Sequence, residues 1–214
     1  MKPLSSFVWT AAFVAPVTSL CAAPIPGLFN TGVDGDGLLL PGDGAVDPHY
    51  EMVVSADPSL PGPDAVTLAP GFPVGPWLAE GPDSRWIAPQ AASGNGLGGE
   101  YRFRTSFDLT GFDADSARIE GEWGVDNEGL DILLNGVSTG ITNFNGFGAL
   151  TPFTIDSGFI AGENTLEFVV FNAGDATANP IGLRVKMRGT VEVPGEPPSI
   201  VEAPASQTLF AGEP

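Results

Sequence analysis

Cysteine, histidine and basic residues are scarce in this sequence of 214 residues, and the shortage removes several classes of function. Cys21 is the only cysteine and His49 is the only histidine. A single thiol makes no intramolecular disulfide and no cysteine-ligated zinc site, so the fold must be held by its core. A metal site with several imidazoles is excluded, and a Ser-His-Asp triad would depend on His49 alone.

Acidic residues outnumber basic ones by 26 to 8, which gives a net charge of −18. A surface of this sign repels nucleic-acid phosphates and anionic lipids, so we expect no nucleic-acid partner and no membrane insertion. The carboxylates are numerous enough to supply a glycosidase pair, but a solvated acidic surface accounts for them more simply. No glycine loop with the lysine of a phosphate site occurs. The sequence therefore predicts a protein that is not an enzyme.

The N-terminal residues 1–23 have the features of a signal peptide. Lys2 supplies the positive end, residues 7–17 are mostly apolar, and small residues precede a mature start near Pro24. Two other interpretations are a membrane span, for which the apolar run is too short, and a lipid anchor on Cys21. We expect the protein to be secreted or to lie on the surface of a bacterial cell.

Glycine and proline are abundant, with 29 and 21 residues, whereas only 16% of the residues are charged. This composition favours many short strands over long helices. Residues 101–109 and 117–125 alternate between apolar and polar side chains, as strands with one buried face do. Asn135-Gly136 is the dipeptide best suited to a two-residue hairpin turn. The other predicted strands are 51–55, 65–68, 130–134, 151–155, 164–171 and 181–193.

Strands with one apolar face bury those faces against each other, and two antiparallel sheets do so most simply. The predicted fold is all-β, a two-sheet antiparallel jelly-roll β-sandwich over residues 24–192. The alternation also turns Leu130 inward and leaves charged residues, Arg184 among them, on a solvated outer face. The residues expected in the core are Phe103, Phe107, Trp123, Ile132, Leu134, Leu166, Phe168, Leu183 and Val185.

Residues 99–192 resemble the galactose-binding-like jelly rolls, the superfamily of many carbohydrate-binding modules. The resemblance is carried by three groups of segments: YRFRTSFDL at 101–109; Val125-Asp126 followed by DILLNG at 131–136; and FTI at 153–155, GENTL at 162–166 and FVV at 168–170. It implies a fold and not a ligand, because one sandwich carries many functions. Residues 193–214 read as a linker and as the start of a bacterial immunoglobulin-like repeat, which predicts further domains beyond residue 214.

The resemblance implies a carbohydrate-binding function, for which a site needs exposed aromatic rings beside hydrogen-bonding side chains. We therefore predict a non-catalytic, extracellular glycan-recognition module of a larger secreted multidomain protein, with a polysaccharide as its partner. Trp77 and Trp86 have a second interpretation, as residues that cap the edge of the sandwich. The alternative function is a structural or adhesive spacer domain with no sugar ligand. The candidate binding residues are Tyr50, Trp77, Trp86, Asn127, Phe144 and Phe147.

Calcium is the predicted cofactor, in a structural role, because carboxylate oxygens suit it and the cell exterior supplies it. The acidic segment that begins at Asp34 is not an EF-hand, since Ala45 stands at the twelfth position counted from Asp34 as the first, where the bidentate glutamate belongs. Related jelly rolls use an acidic residue near the last strand, for which Glu192 is the match. The alternative is that the Asp-Gly pairs only form turns. The candidate ligands are Asp34, Asp36, Asp43, Asp47 and Glu192.

Overall fold

The structure, a computed structural model, describes residues 21–71, 75, 77–92, 96–174 and 179–194. Most of the predicted leader and most of the tail after Val193 lie outside these residues. The described part contains β-strands and one short 3-10 turn, Gly146–Gly148, which confirms the all-β prediction. The strands are β1 (Cys21–Pro24), β2 (Val46–Val54), β3 (Asp64–Thr67), β4 (Ile87–Ala88), β5 (Gly99–Asp108), β6 (Asp113–Asp126), β7 (Glu128–Leu134), β8 (Val137–Ser138), β9 (Thr151–Ile155), β10 (Glu163–Asn172) and β11 (Gly182–Val193).

All the strand pairs are antiparallel, and together they form one continuous, curled sheet. Its order is β8-β7-β10-β5-β2-β3-β4-β11-β6-β9, and β1 pairs with β11. The two-residue strand β4 joins the halves, because it pairs with β3 on one side and with β11 on the other. The division into two separate sheets of a jelly roll therefore stays a prediction.

The curl brings strands together that are far apart in the sheet order. Phe168 on β10 lies with its ring centroid 5.7 Å from that of Trp123 on β6 and 6.1 Å from that of Phe153 on β9. The core predicted from alternation is confirmed, since all nine residues named above are at most 3% exposed. Burial of these large apolar side chains is the main stabilising contribution in a fold without disulfides.

The hairpin between β7 and β8 follows the sequence prediction. Asn135 and Gly136 both have positive φ, at 53° and 76°, as a two-residue turn of this type requires. The prediction for Leu130 is wrong, because its side chain is 36% exposed and Gly129 faces inward instead. A bulge against β10 shifts the register there, and a Cβ on Gly129 would lie 2.3 Å from the Trp123 ring. The large indole therefore takes the space that an inward Leu130 would need.

Two predicted boundaries differ from the structure in the first half of the chain. The strand predicted at 51–55 begins earlier in the structure, since β2 starts at Val46 and includes Asp47-Pro-His-Tyr50. Strand β1 begins at Cys21, inside the predicted leader, and Cys21 and Val193 are paired residues. Cleavage before Pro24 would therefore remove three of the four residues of β1. In the part of the chain that the structure describes, we find no helix with the length and apolar character needed to cross a membrane.

Candidate functional site

The six predicted sugar-binding residues differ widely in exposure. Tyr50 is 3% exposed, Trp77 9% and Trp86 0%, so these three rings are core residues and not exposed stacking surfaces. The Tyr50 hydroxyl donates a hydrogen bond to the Phe29 carbonyl, and burial raises the pKa of Tyr50 well above its ordinary value. For Trp77 and Trp86 the packing interpretation agrees with the structure.

Trp77, Trp86 and Phe147 form an aromatic cluster beside the end of β6 and the start of β11. The ring centroids of Trp77 and Trp86 are 4.7 Å apart, and Phe147 stacks on Trp77 at 6.1 Å with an interplanar angle of 17°. Leu78 donates its backbone N–H to the carbonyl of Phe147 at 2.8 Å. The aromatic cluster therefore joins the segment around Trp77 to the loop that carries Phe147.

A buried carboxyl group lies beneath this cluster. Asp126, at the end of β6, is 2% exposed, and its Oδ2 accepts a hydrogen bond from the Trp77 indole N–H at 3.0 Å. Its Oδ1 has no hydrogen-bond partner in the described structure. Burial raises the pKa of Asp126 to about 7, and the bond from Trp77 opposes this shift. The sequence had no signal for this pairing, because the two residues are 49 positions apart.

The segment that carries the tryptophans is fixed to β11 by a buried arginine. Arg184 is 4% exposed, in contrast to the predicted solvated position, because residues 79–84 cover it. Its Nε donates to the Ser84 hydroxyl at 3.0 Å and its Nη1 to the Ala79 carbonyl at 2.7 Å. Burial lowers the pKa of Arg184, and the nearby Glu80 carboxylate opposes that shift. Hydrogen bonds to a charged donor are among the stronger ones, so this contact holds the segment firmly.

Phe144 is the predicted residue that remains open to solvent, with 68% of its surface exposed. Its loop is held by Asn143, which is 1% exposed and whose Nδ2 donates to the Trp123 carbonyl at 2.8 Å. The Asn143 backbone exchanges two hydrogen bonds with Gly129, at 2.7 and 2.8 Å. Phe144 therefore projects from a loop whose neighbouring residue is anchored in the core.

Asn127 lies beside this loop but serves mainly as a structural bridge. Its Oδ1 accepts hydrogen bonds from the backbone N–H of Ala173 at 2.6 Å and from the Asn179 side chain at 2.7 Å. Asn179 also donates to Asn172, which is fully buried. Four of the six predicted residues thus lie near the end of β6: Trp77, Trp86, Asn127 and Phe147. Phe144 lies on the same loop as Phe147.

One serine has the sequence spacing of a hydrolase nucleophile, and its surroundings differ from those of such an enzyme. Residues 136–140 read Gly-Val-Ser-Thr-Gly, but Ser138 lies on β8 of a hairpin and not between a strand and a helix. Its hydroxyl donates to the Asp131 carboxylate. His49, the only histidine, is on β2 and stacks on Phe29 with ring centroids 3.7 Å apart. The described geometry places neither residue in a triad.

The predicted calcium ligands are mostly engaged in turns and backbone contacts. Asp34 Oδ1 accepts the N–H groups of Asp36 and Leu38, as an aspartate in a turn does. Asp47 is buried, and its two oxygens accept the N–H groups of Gly32, His49 and Tyr50 at 2.6, 2.8 and 3.2 Å.

The other three predicted ligands lie on the surface or on the last strand. Asp36 and Asp43 are exposed, and Glu192 lies on β11 opposite Ala22. Among the residues described here, no three acidic, histidine or cysteine side chains are grouped as a metal site requires. Calcium binding stays a prediction that solution measurements must test.

A calcium titration tests that prediction directly. If the predicted site exists, a few millimolar calcium should stabilise the protein by about 1 kcal/mol relative to a chelator, because binding to the folded state shifts the unfolding equilibrium. The double substitution Asp34→Ala and Asp36→Ala should abolish the rise in Tm, whereas Asp115→Ala, at another exposed aspartate, should keep it. An equal Tm in calcium and in chelator would show that the acidic segment forms turns and binds no calcium.

Comparison with known protein families, with curated proteins and with solved structures finds no significant match for this chain.

Proposed function

We propose that the protein is a non-catalytic, extracellular glycan-recognition module with a galactose-binding-like jelly-roll fold, exported by its N-terminal leader as part of a larger multidomain protein. The observation that carries this proposal is Phe144, an aromatic ring that is 68% exposed on a loop anchored by a buried asparagine. The apolar C–H face of a sugar stacks on such a ring, while its hydroxyl groups form hydrogen bonds with neighbouring polar side chains.

The surroundings of Phe144 suit a neutral sugar. Thr142, two positions before it, and Asn145, directly after it, are exposed, and their hydroxyl and amide groups both donate and accept hydrogen bonds. Holding the ring in place before binding reduces the entropy lost when the sugar binds. The net charge of −18 disfavours acidic polysaccharides, because like charges repel each other, most strongly at low ionic strength.

The alternative is a structural or adhesive spacer, and the burial of Tyr50, Trp77 and Trp86 supports it. These rings stabilise the fold and leave Phe144 as the main exposed ring of the predicted set. The two functions make different predictions for Phe144, since a spacer has no need of it.

Binding to a panel of glycans distinguishes the two functions. The protein should bind one or more neutral polysaccharides with a dissociation constant between about 1 µM and 1 mM, and it should release no sugar from them. Phe144→Ala should weaken binding at least about tenfold, which corresponds to loss of one good stacking contact. Phe144→Trp should retain binding, because it keeps a ring at the same position.

The matched control is Val137→Ala, since Val137 is also 68% exposed but lies on β8. This variant should bind as the parent protein does. Retention of full binding in Phe144→Ala would place the site elsewhere, and failure to bind any glycan on the panel would favour the spacer.

A further inference from the structure

Three asparagines in this sequence are followed by glycine: Asn95, Asn135 and Asn145. Such pairs are where asparagine loses its side-chain amide most readily, because glycine has no side chain to hinder attack by its backbone nitrogen. Asn95 lies outside the described residues. The structure holds the other two asparagines very differently, although their local sequences are alike.

Asn135 is held tightly in the turn between β7 and β8. Its Nδ2 donates to the Asn164 side chain at 2.9 Å and to the Gly158 carbonyl at 3.3 Å, and its Oδ1 accepts the N–H of Thr165 at 3.0 Å. Asn164 is fully buried, so the contact between the two asparagines is partly shielded from water. Rotation of the Asn135 amide toward the next backbone nitrogen would break all three bonds.

In the described part of the chain, the side chain of Asn145 makes fewer hydrogen bonds than that of Asn135. Its side chain is exposed, and among the described residues its amide makes one hydrogen bond, from Nδ2 to the Thr151 hydroxyl at 2.9 Å. That bond is itself exposed to water, which competes for both partners. Gly146 follows with a φ of 65°, a conformation that glycine adopts without strain.

We infer that Asn145 is a site of spontaneous deamidation, placed in the loop that carries Phe144. The backbone nitrogen of Gly146 attacks Cγ of Asn145, a new N–Cγ bond forms, and the Cγ–Nδ2 bond breaks to release ammonia. The nitrogen of Gly146 loses its proton, which leaves with the ammonia. Water then opens the five-membered imide to give aspartate or isoaspartate. The reaction needs no other reactant.

The product does not fit the hydrogen bonds of the loop. The Thr151 hydroxyl donates its one hydrogen to Oδ1 of Asn143 at 2.9 Å, and it accepts from Asn145 with its oxygen. A carboxylate at position 145 has no hydrogen to donate, so two oxygen atoms would face each other without a proton between them. The reaction therefore adds a negative charge and loosens the loop. Its effect on glycan binding rests on the function proposed above, whereas the reaction itself does not.

Peptide mapping by mass spectrometry of the folded protein, after incubation in mildly alkaline buffer, tests the inference. The mass increase that marks conversion of an amide to a carboxyl should appear at least about tenfold faster in the peptide with Asn145 than in the peptide with Asn135. The reason is that the Asn135 amide makes two more hydrogen bonds, which must break before the reaction. In denaturant the two peptides should react at similar rates, because both contain Asn-Gly. Equal rates in the folded protein, or no product at Asn145 while the denatured chain reacts, would overturn the inference.

A direct replacement tests the effect on the loop. Asn145→Asp should raise the rate of amide hydrogen exchange in residues 143–148 several-fold relative to the parent protein. Asn145→Ser, which replaces the amide donor by a hydroxyl donor without adding charge, should cause a smaller increase. An Asn145→Asp variant with unchanged exchange in this loop would contradict the proposed loosening.

Discussion

Replacing Phe168 by alanine should lower the free energy of unfolding by about 3 to 5 kcal/mol. Phe168 is fully buried at the centre of β10, between Phe103 on β5 and Ile132 on β7. Its ring also contacts Trp123 and Phe153, which lie on the opposite part of the curled sheet. The substitution would leave a cavity that these large rings can fill only in part, so both the burial energy and the packing contacts are lost.

Urea unfolding of the variant and the parent protein measures this loss, and Phe144→Ala provides the control. The same side chain is removed in the control, but Phe144 is 68% exposed, so its loss should change stability by less than about 0.5 kcal/mol. A loss below about 1 kcal/mol for Phe168→Ala would mean that the two parts of the sheet do not pack through this ring.

The second large effect is a fall in stability with rising pH, caused by Asp126. Its pKa in the folded protein is about 7, above the ordinary value of 3.8, because the carboxyl is buried. Between these two pH values the unfolded chain has lost the proton and the folded protein retains it, so stability falls as pH rises. Each pKa unit corresponds to about 1.36 kcal/mol, so the expected fall from pH 4 to pH 7 is about 3 to 4 kcal/mol.

Asp126→Asn isolates this contribution from those of other carboxyl groups. The amide oxygen still accepts the Trp77 indole hydrogen, but the side chain never ionises. The variant and the parent protein should therefore be similarly stable near pH 4, and the variant should be more stable by a few kcal/mol at pH 8. A constant stability difference between the two proteins from pH 4 to pH 8 would show that Asp126 ionises normally.

The sequence alone was sufficient to predict most of the strands in the second half of the chain, but not their arrangement in one curled sheet. Apolar and polar residues alternate in β5 and through residues 117–123 of β6, and such alternation decides which face of a strand is buried. It failed at Leu130, because the bulge between β7 and β10 and the close approach of the Trp123 ring to Gly129 both involve residues on other strands. The sequence also placed the start of β2 at residue 51 and not at Val46, because proline is uncommon within a strand and Pro48 precedes the predicted start.

The candidate site was predicted less completely than the core. Loop aromatics can be found in a sequence, but whether each ring is buried depends on contacts between distant segments. Trp77 is buried against Trp86 and Phe147 and donates its indole hydrogen to Asp126, and the segment around it is held by Arg184, more than 100 positions later. Neither partner carries a local pattern that marks this role. Phe144 remains exposed because Asn143 turns inward in its place.

The most direct test of glycan recognition is an NMR titration that follows the ring protons of Phe144. These resonances are assigned by their loss in Phe144→Ala, and the titrant is a short oligosaccharide cut from the neutral polysaccharide that binds best on the panel. We predict that the Phe144 ring signals shift progressively to saturation and that C–H protons of one sugar face move upfield, as stacking on an aromatic ring requires. An oligosaccharide that binds while the Phe144 signals stay in place, or a panel with no neutral glycan that binds, would contradict the proposed function.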